Sequence, residues 1–285
     1  MIIVKNIFLT SLVALVFLLP FSVSAQQIGN YLGDESDLYA ATKQMNQFFR
    51  RFNHEEDKLG NKFDPSNKQF RNNSDRKDYI NILFDGQNKA VPQSVKDDFL
   101  NQVTNSSKPT FLEFHGGNWF AEVTTRFVYE GKEQDLTLFM KLQEEKIGSK
   151  WVISNVYFTP FAKIMGKDIQ DPTKFLHPLS HELEFMNLRK IFDEPQELKE
   201  VKNYVELNHK TDYVTLFLYE VARNTLQFRT VTDVKFHFFQ IDNWYLEVSR
   251  FNRGGYNNGW LISNLARLTP DNKDVLLNYI YSNGN

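Results

Sequence analysis

Lys150-Trp151-Val152-Ile153-Ser154-Asn155-Val156, followed by Thr159-Pro160, returns about 110 residues later as Gly259-Trp260-Leu261-Ile262-Ser263-Asn264-Leu265, followed by Thr269-Pro270. Each copy is a short apolar and β-branched run opened by Trp, which reads as a strand. Weaker matches lie upstream in the same order. Phe99-Leu100 and Val103 answer Phe217-Leu218 and Val221, Leu112 and Phe114 answer Leu226 and Phe228, and Lys77-Asp78-Tyr79-Ile80 answers Lys202-Asn203-Tyr204-Val205. A unit of this length used twice is too long for a solenoid repeat and points to a duplicated domain.

Working outward from the first copy, Phe120–Tyr129, Leu136–Gln143 and Trp151–Phe158 are aromatic or β-branched runs parted by Glu130-Gly131-Lys132 and Ile147-Gly148-Ser149. Glycine-bearing turns between such runs predict an antiparallel meander. Leu136, Leu138, Met140 and Leu142 alternate with Thr137, Lys141 and Gln143, so one sheet face is buried and needs a cover. Helices upstream supply it. Leu38, Ala41, Met45, Phe48, Phe49 and Phe52 recur at helical spacing over Asp37–Asn53, and Asp78–Asp85 and Val95–Val103 read as shorter helices. Lys58–Arg76, rich in Asn, Asp, Ser and Gly, reads as an exposed loop, and the mixed charges Arg50, Arg51, His54, Glu55, Glu56 and Asp57 as a solvated helix end.

The second copy repeats the plan. Helices are expected at Leu179–Phe192, Glu197–Glu206 and Asp212–Val221, strands near Leu226 and at Lys235–Ile241, Trp244–Phe251 and Trp260–Leu265, and a closing helix over Asp271–Tyr281. The expected fold is therefore α+β, with two tandem domains at 26–165 and 175–285, each packing N-terminal helices on a bent antiparallel sheet.

The chain opens with Lys5, an apolar run from Ile7 to Val23 and the small-residue end Ser22-Val23-Ser24-Ala25. This is the layout of a secretory signal peptide over residues 1–25, cleaved after Ala25. The run also approaches the roughly 17 to 25 residues that span a bilayer, so a retained anchor is the rival reading. Pro20 and the absence of following basic residues favour cleavage, leaving an extracytoplasmic protein, periplasmic or secreted, with no membrane span. Cysteine is absent from the chain, which excludes disulfides, thiol catalysis and thiolate metal ligands. With 26 Phe, 12 Tyr and 4 Trp the chain has ample rings for its cores. A net charge of −2 offers no basic field for phosphates, so nucleic acid is not expected as a partner.

Helices first, then a meander closing in the Lys150-Trp151 and Gly259-Trp260 strands, resembles the nuclear transport factor 2-like superfamily over 37–160 and 179–270. The resemblance implies a bent sheet folded around a helix into a cone with a pocket at its open end. Relatives use that pocket for proton-transfer or dehydration chemistry, for binding, or for dimerisation.

Candidate site residues are few. His115, in Phe114-His115-Gly116-Gly117-Asn118-Trp119, is placed to act as a base or ligand contact at a pocket lip, with Trp119 beside it; a hairpin turn is the plainer reading. Asn155 and Asn264, taken to share a strand face with Trp151 and Ile153 and with Trp260 and Ile262, offer amides to a ligand or to neighbouring backbone, and Tyr157 lies two residues beyond Asn155. His177 and His181 have helical ligand spacing without a third ligand, so no metal is expected. There is no phosphate loop, dinucleotide fingerprint or Gly-x-Ser-x-Gly turn, and no cofactor is expected. These features point to a non-enzymatic binding or scaffold protein of the cell envelope, taking a small apolar ligand or an envelope protein. A lyase or isomerase working in the first cone is the alternative.

Overall fold

A computed structural model describes residues 45–146, 148–165, 201–206, 209, 212–254 and 257–281. The signal segment, the helix expected at Leu179–Phe192, the His177/His181 pair and the first part of the helix expected at Asp37–Asn53 lie outside the described residues.

Helix α1 (Met45–Asn53) turns Met45, Phe48, Phe49 and Phe52 inward on one stripe. Helix α2 runs over Asn73–Ile82, capped by Asn72, whose side chain accepts from the Ser74 and Asp75 amides. Helix α3 (Gln93–Val103) buries Phe99, Leu100 and Val103. The meander follows as β1 (Trp119–Tyr129), β2 (Lys132–Glu145) and β3 (Gly148–Tyr157), and the short helix α4 covers Thr159–Met165. Glu130 and Gly131, at φ 51° and 75°, form the two-residue hairpin turn expected there. After a 3-10 turn at Lys202–Tyr204 come α5 (Tyr213–Ala222), capped by Asp212, then β4 (Leu226–Phe238), β5 (Trp244–Phe251), β6 (Gly259–Arg267) and α6 (Pro270–Tyr281). No described helix is long and apolar enough to cross a membrane.

The α+β class is as expected, but the strands of both copies share one six-stranded antiparallel sheet, ordered β3-β2-β1-β4-β5-β6. Two separate domains at 26–165 and 175–285 are not confirmed, because β1 pairs with β4 from Trp119↔Phe238 to Tyr129↔Leu226. The strands expected separately near Leu226 and at Lys235–Ile241 are one strand, β4, kept continuous through its polar middle by that pairing.

The strand order is symmetric about the β1–β4 pair, and the helices cross over it. Helix α3 packs on β6 and meets β5 through the Phe99–Trp244 ring contact and the bond from Trp244 Nε1 to Gln102 Oε1 at 2.8 Å. Helix α5 of the second copy packs on β3, with Phe217 against Phe127 of β1. Each copy thus covers strands of the other, in two separate apolar clusters on one sheet face. A third cluster on the opposite face lies under α6, where Leu276, Leu277 and Ile280 meet Phe120, Phe139 and Tyr245. Leu83–Asp85 also clips the outer edge of β6 through the Ile262 N–H to Leu83 carbonyl bond (2.8 Å) and the Asp85 N–H to Ile262 carbonyl bond (3.0 Å).

The repeat is structural as well as textual. Asn155 pairs with Phe139 and Ile153 with Met140, so Ser154 is bulged out; Asn264 pairs with Glu247 and Ile262 with Val248, so Ser263 is bulged out in the same way. Each bulged serine donates its hydroxyl across the ladder, Ser154 to the Phe139 carbonyl at 3.0 Å and Ser263 to the Glu247 carbonyl at 3.2 Å. The bulges overturn the expected facing of the asparagines. A bulge adds one residue to the alternation, so Asn155 and Asn264 point to the face opposite Trp151, Ile153, Trp260 and Ile262.

Two charged segments also differ from expectation. Arg76, expected at the end of an exposed loop, lies instead in the first turn of α2 and is wholly buried. Its guanidinium donates to the Phe52 carbonyl (3.0 Å), the Val103 carbonyl (3.0 Å) and the Thr110 carbonyl, tying the ends of α1 and α3 to the segment that follows α3. Glu56 is no solvated terminus either. Arg50 and Arg51 hold it at 2.8 and 3.0 Å at zero exposure, because the Glu56↔Lys62 bridge folds the following loop back over the helix end. His54, at φ 55°, occupies the left-handed position that closes α1, and its ring is buried between Phe63 and Tyr79.

Candidate functional site

A cleft of about 490 Å³ opens on the helix-covered face of the sheet. Its floor is Ala121 and Val123 of β1, Val234 and Phe236 of β4, and Met140 of β2. Trp151 of β3 and Trp260 of β6, the two tryptophans of the repeat, stand on either side. Phe236 lies between them, its ring centroid 6.1 Å from Trp151 and 5.0 Å from Trp260. Met45 and Asn46 of α1 and Phe114 complete the lining. Alternation along the strands explains the set: Ala121 and Val123 are two apart on one face, and their partners Phe236 and Val234 share it.

The lining has a clear chemistry. Asn46 is its one amide, and none of its side chains is charged or titratable. Trp151 is 38% exposed, so an indole face remains open to solvent beside a buried floor. Two methionines give the walls unbranched, adaptable side chains. A volume of this size falls within the range of small-molecule pockets, which are mostly apolar with few polar groups.

None of the five residues singled out from sequence lines this cleft. Trp119 is buried behind it, edge-on to Trp151 at 5.2 Å and stacked on Phe238, with Nε1 donating to the Phe114 carbonyl at 2.9 Å. His115 is exposed; its ring meets Phe114 at 5.1 Å and its Nδ1 lies 3.1 Å from Ser149 Oγ. Asn155 is buried on the other sheet face, where Nδ2 donates to the Ile280 carbonyl of α6 at 3.0 Å and Oδ1 accepts from the Val156 amide. Tyr157 and Asn264 are exposed.

That other face carries a titratable cluster that strand pairing brings together from β1, β4, β5 and α6. His237 places Nε2 2.8 Å from Glu122 Oε2 and Nδ1 2.7 Å from the Tyr245 hydroxyl, and Tyr279 of α6 donates to Glu122 Oε1 at 3.3 Å. Burial works to raise the Glu122 pKa, but the hydrogen bond and charge of His237, with Lys235 nearby, outweigh it and hold the carboxyl below its ordinary value. Burial, with Glu247 and Glu122 close by, drives the Tyr245 phenol far upward; burial and the same Glu122 push Tyr279 up to about 12. Both phenols are therefore proton-bearing donors at neutral pH, and the cluster binds α6 to the sheet. Sequence reading missed it because Glu122 and His237 are neighbours only through the β1–β4 pairing.

Among the described residues no group of three or more His, Cys, Asp or Glu side chains is arranged to hold a metal ion. No family model matches the chain, and neither does any curated protein or solved structure.

Proposed function

We propose that the chain is an exported, non-enzymatic binding protein of the cell envelope that holds a small apolar molecule in the cleft between Trp151 and Trp260. The observation that carries this reading is a 490 Å³ cleft with an apolar lining and no acid, base or nucleophile in it. Catalysis of the lyase or isomerase kind needs a base within hydrogen-bond reach of the bound molecule, and this lining offers none. Export rests on the layout of residues 1–25.

The same reading takes the chain as two copies of one α+β unit of the nuclear transport factor 2-like kind, the first ending near 165 and the second beginning near 175. The duplicated serine bulge supports the duplication, and the tryptophan that opens each repeat lines the same cleft.

A ligand burying the equivalent of ten methylenes gains roughly 8 kcal/mol at about 0.8 kcal/mol each. Association costs roughly 4 kcal/mol, which leaves about 4 kcal/mol and a dissociation constant on the order of a millimolar. The test is a titration with N-phenyl-1-naphthylamine, an uncharged apolar fluorophore. Saturable enhancement is expected, and it is lost in Val234→Glu, which sets a carboxylate in the floor, and weakened in Trp151→Ala. Linear, non-saturating fluorescence, or binding indifferent to both changes in folded variants, refutes the cleft as the site.

A further inference from the structure

We infer that the cleft selects uncharged amphiphiles, with an apolar body and one neutral hydrogen-bonding end, and that Asn46 is the residue that sets this selection. The inference rests on the binding role proposed above and names its ligand class. Asn46 is exposed on α1 and is the one lining side chain that both donates and accepts hydrogen bonds. It can therefore meet an alcohol or carbonyl end in either role, while the apolar body lies along Phe236, Val123 and Met140.

Charge is disfavoured at both signs. A carboxylate drawn against this lining finds no Lys, Arg or His, and an ammonium finds no Asp or Glu. Desolvating either charge without a partner is costly. Rings at Trp151, Phe236 and Trp260 invite a cation–π reading, but these rings share the cleft with Ala121, Val123, Val234 and two methionines. The space is also far larger than a trimethylammonium head needs. An aromatic cage for a cation closes tightly around it; this cleft instead suits an extended apolar body.

The experiment displaces bound N-phenyl-1-naphthylamine from the full chain with 1-decanol, decanoate and decyltrimethylammonium, whose alkyl bodies match to within one methylene and which differ in the end group. The expected result is that decanol competes at least tenfold better than either charged compound. In Asn46→Lys the decanol-to-decanoate preference falls to about one or reverses, and in Asn46→Asp the same happens for the ammonium. Position 46 is exposed, so both variants are expected to unfold at the parent temperature.

Charged compounds that compete as well as decanol overturn the inference while leaving the binding role intact. A tenfold preference unchanged in both variants overturns the role of Asn46. Failure of all three to displace a probe that itself binds overturns the ligand class. If the probe does not bind at all, the proposed function fails together with the inference.

Discussion

Replacing Arg76 by methionine is the sharpest test of how the helical cover over the cleft is held. The guanidinium is fully buried and donates to carbonyls at the ends of α1 and α3, with no carboxylate hydrogen-bonded to it. Phe111 stacks on it at 4.2 Å. Methionine refills much of the volume but leaves the Phe52 and Thr110 carbonyls without the guanidinium's N–H groups, while the Val103 carbonyl keeps the Thr110 amide at 3.0 Å. Each buried acceptor left unsatisfied costs about 1–3 kcal/mol, so the gross loss is roughly 2–6 kcal/mol. Part is returned, because burial strains the charge itself: the Arg76 pKa is pushed down to about 10, by burial first and Arg71 second. Removing a buried guanidinium relieves that cost. The net expectation is a loss of about 2–4 kcal/mol, read as a lowered urea midpoint at unchanged slope. Arg71→Met, which breaks a partly exposed pair with Glu55 and the guanidinium's contacts with the Phe70 and Phe111 rings, is the control and should cost about 1 kcal/mol. An Arg76→Met protein as stable as its parent refutes the role of the guanidinium in tying these carbonyls together.

Further expectations concern pH and chain connectivity. Burial depresses the His54 pKa below 6.5, so the unfolded chain takes up its proton first and stability falls as pH drops below 6.5; His54→Asn, which tolerates the same backbone conformation, should flatten urea midpoints between about pH 7 and 5. The Glu122 carboxyl is likewise depressed, so its contribution is present above 4.5 and lost as pH falls below it; Glu122→Gln should remove that acid limb and loosen α6, seen as faster amide exchange over Pro270–Tyr281. Because α3 covers β6 and α5 covers β3, chains 26–165 and 175–285 expressed separately should each lack cooperative unfolding and regain it on mixing. A cooperative transition in either half alone would contradict the crossed packing.

Much of the local structure was legible. The Glu130-Gly131 turn, the Leu136–Leu142 alternation and the Met45–Phe52 stripe each announce their element, and the Trp-led repeat announces the two strands, β3 and β6, that carry the same serine bulge. The Asx caps at Asn72 and Asp212 are local as well. What periodicity could not carry is pairing between segments a hundred residues apart. Nothing in β1 or β4 names the other as its partner, so the joined sheet, the Glu122–His237 contact and the shared cleft were all out of reach. The bulges at Ser154 and Ser263 defeated the facing of Asn155 and Asn264 because strict alternation assumes an unbroken ladder. Arg76 and Glu56 were read as solvated because isolated charges usually are. Here helix-end carbonyls and paired arginines supply the partners that burial demands.

The central claim is that both copies together build one site for an uncharged apolar molecule, and the ratio of ligand to chain tests it most directly. Native mass spectrometry of the protein titrated with 1-decanol should show one molecule retained per chain at saturation, and none in Val234→Glu. Two molecules per chain would point to a separate pocket in each copy and contradict the shared cleft; none at any concentration would contradict the binding role itself.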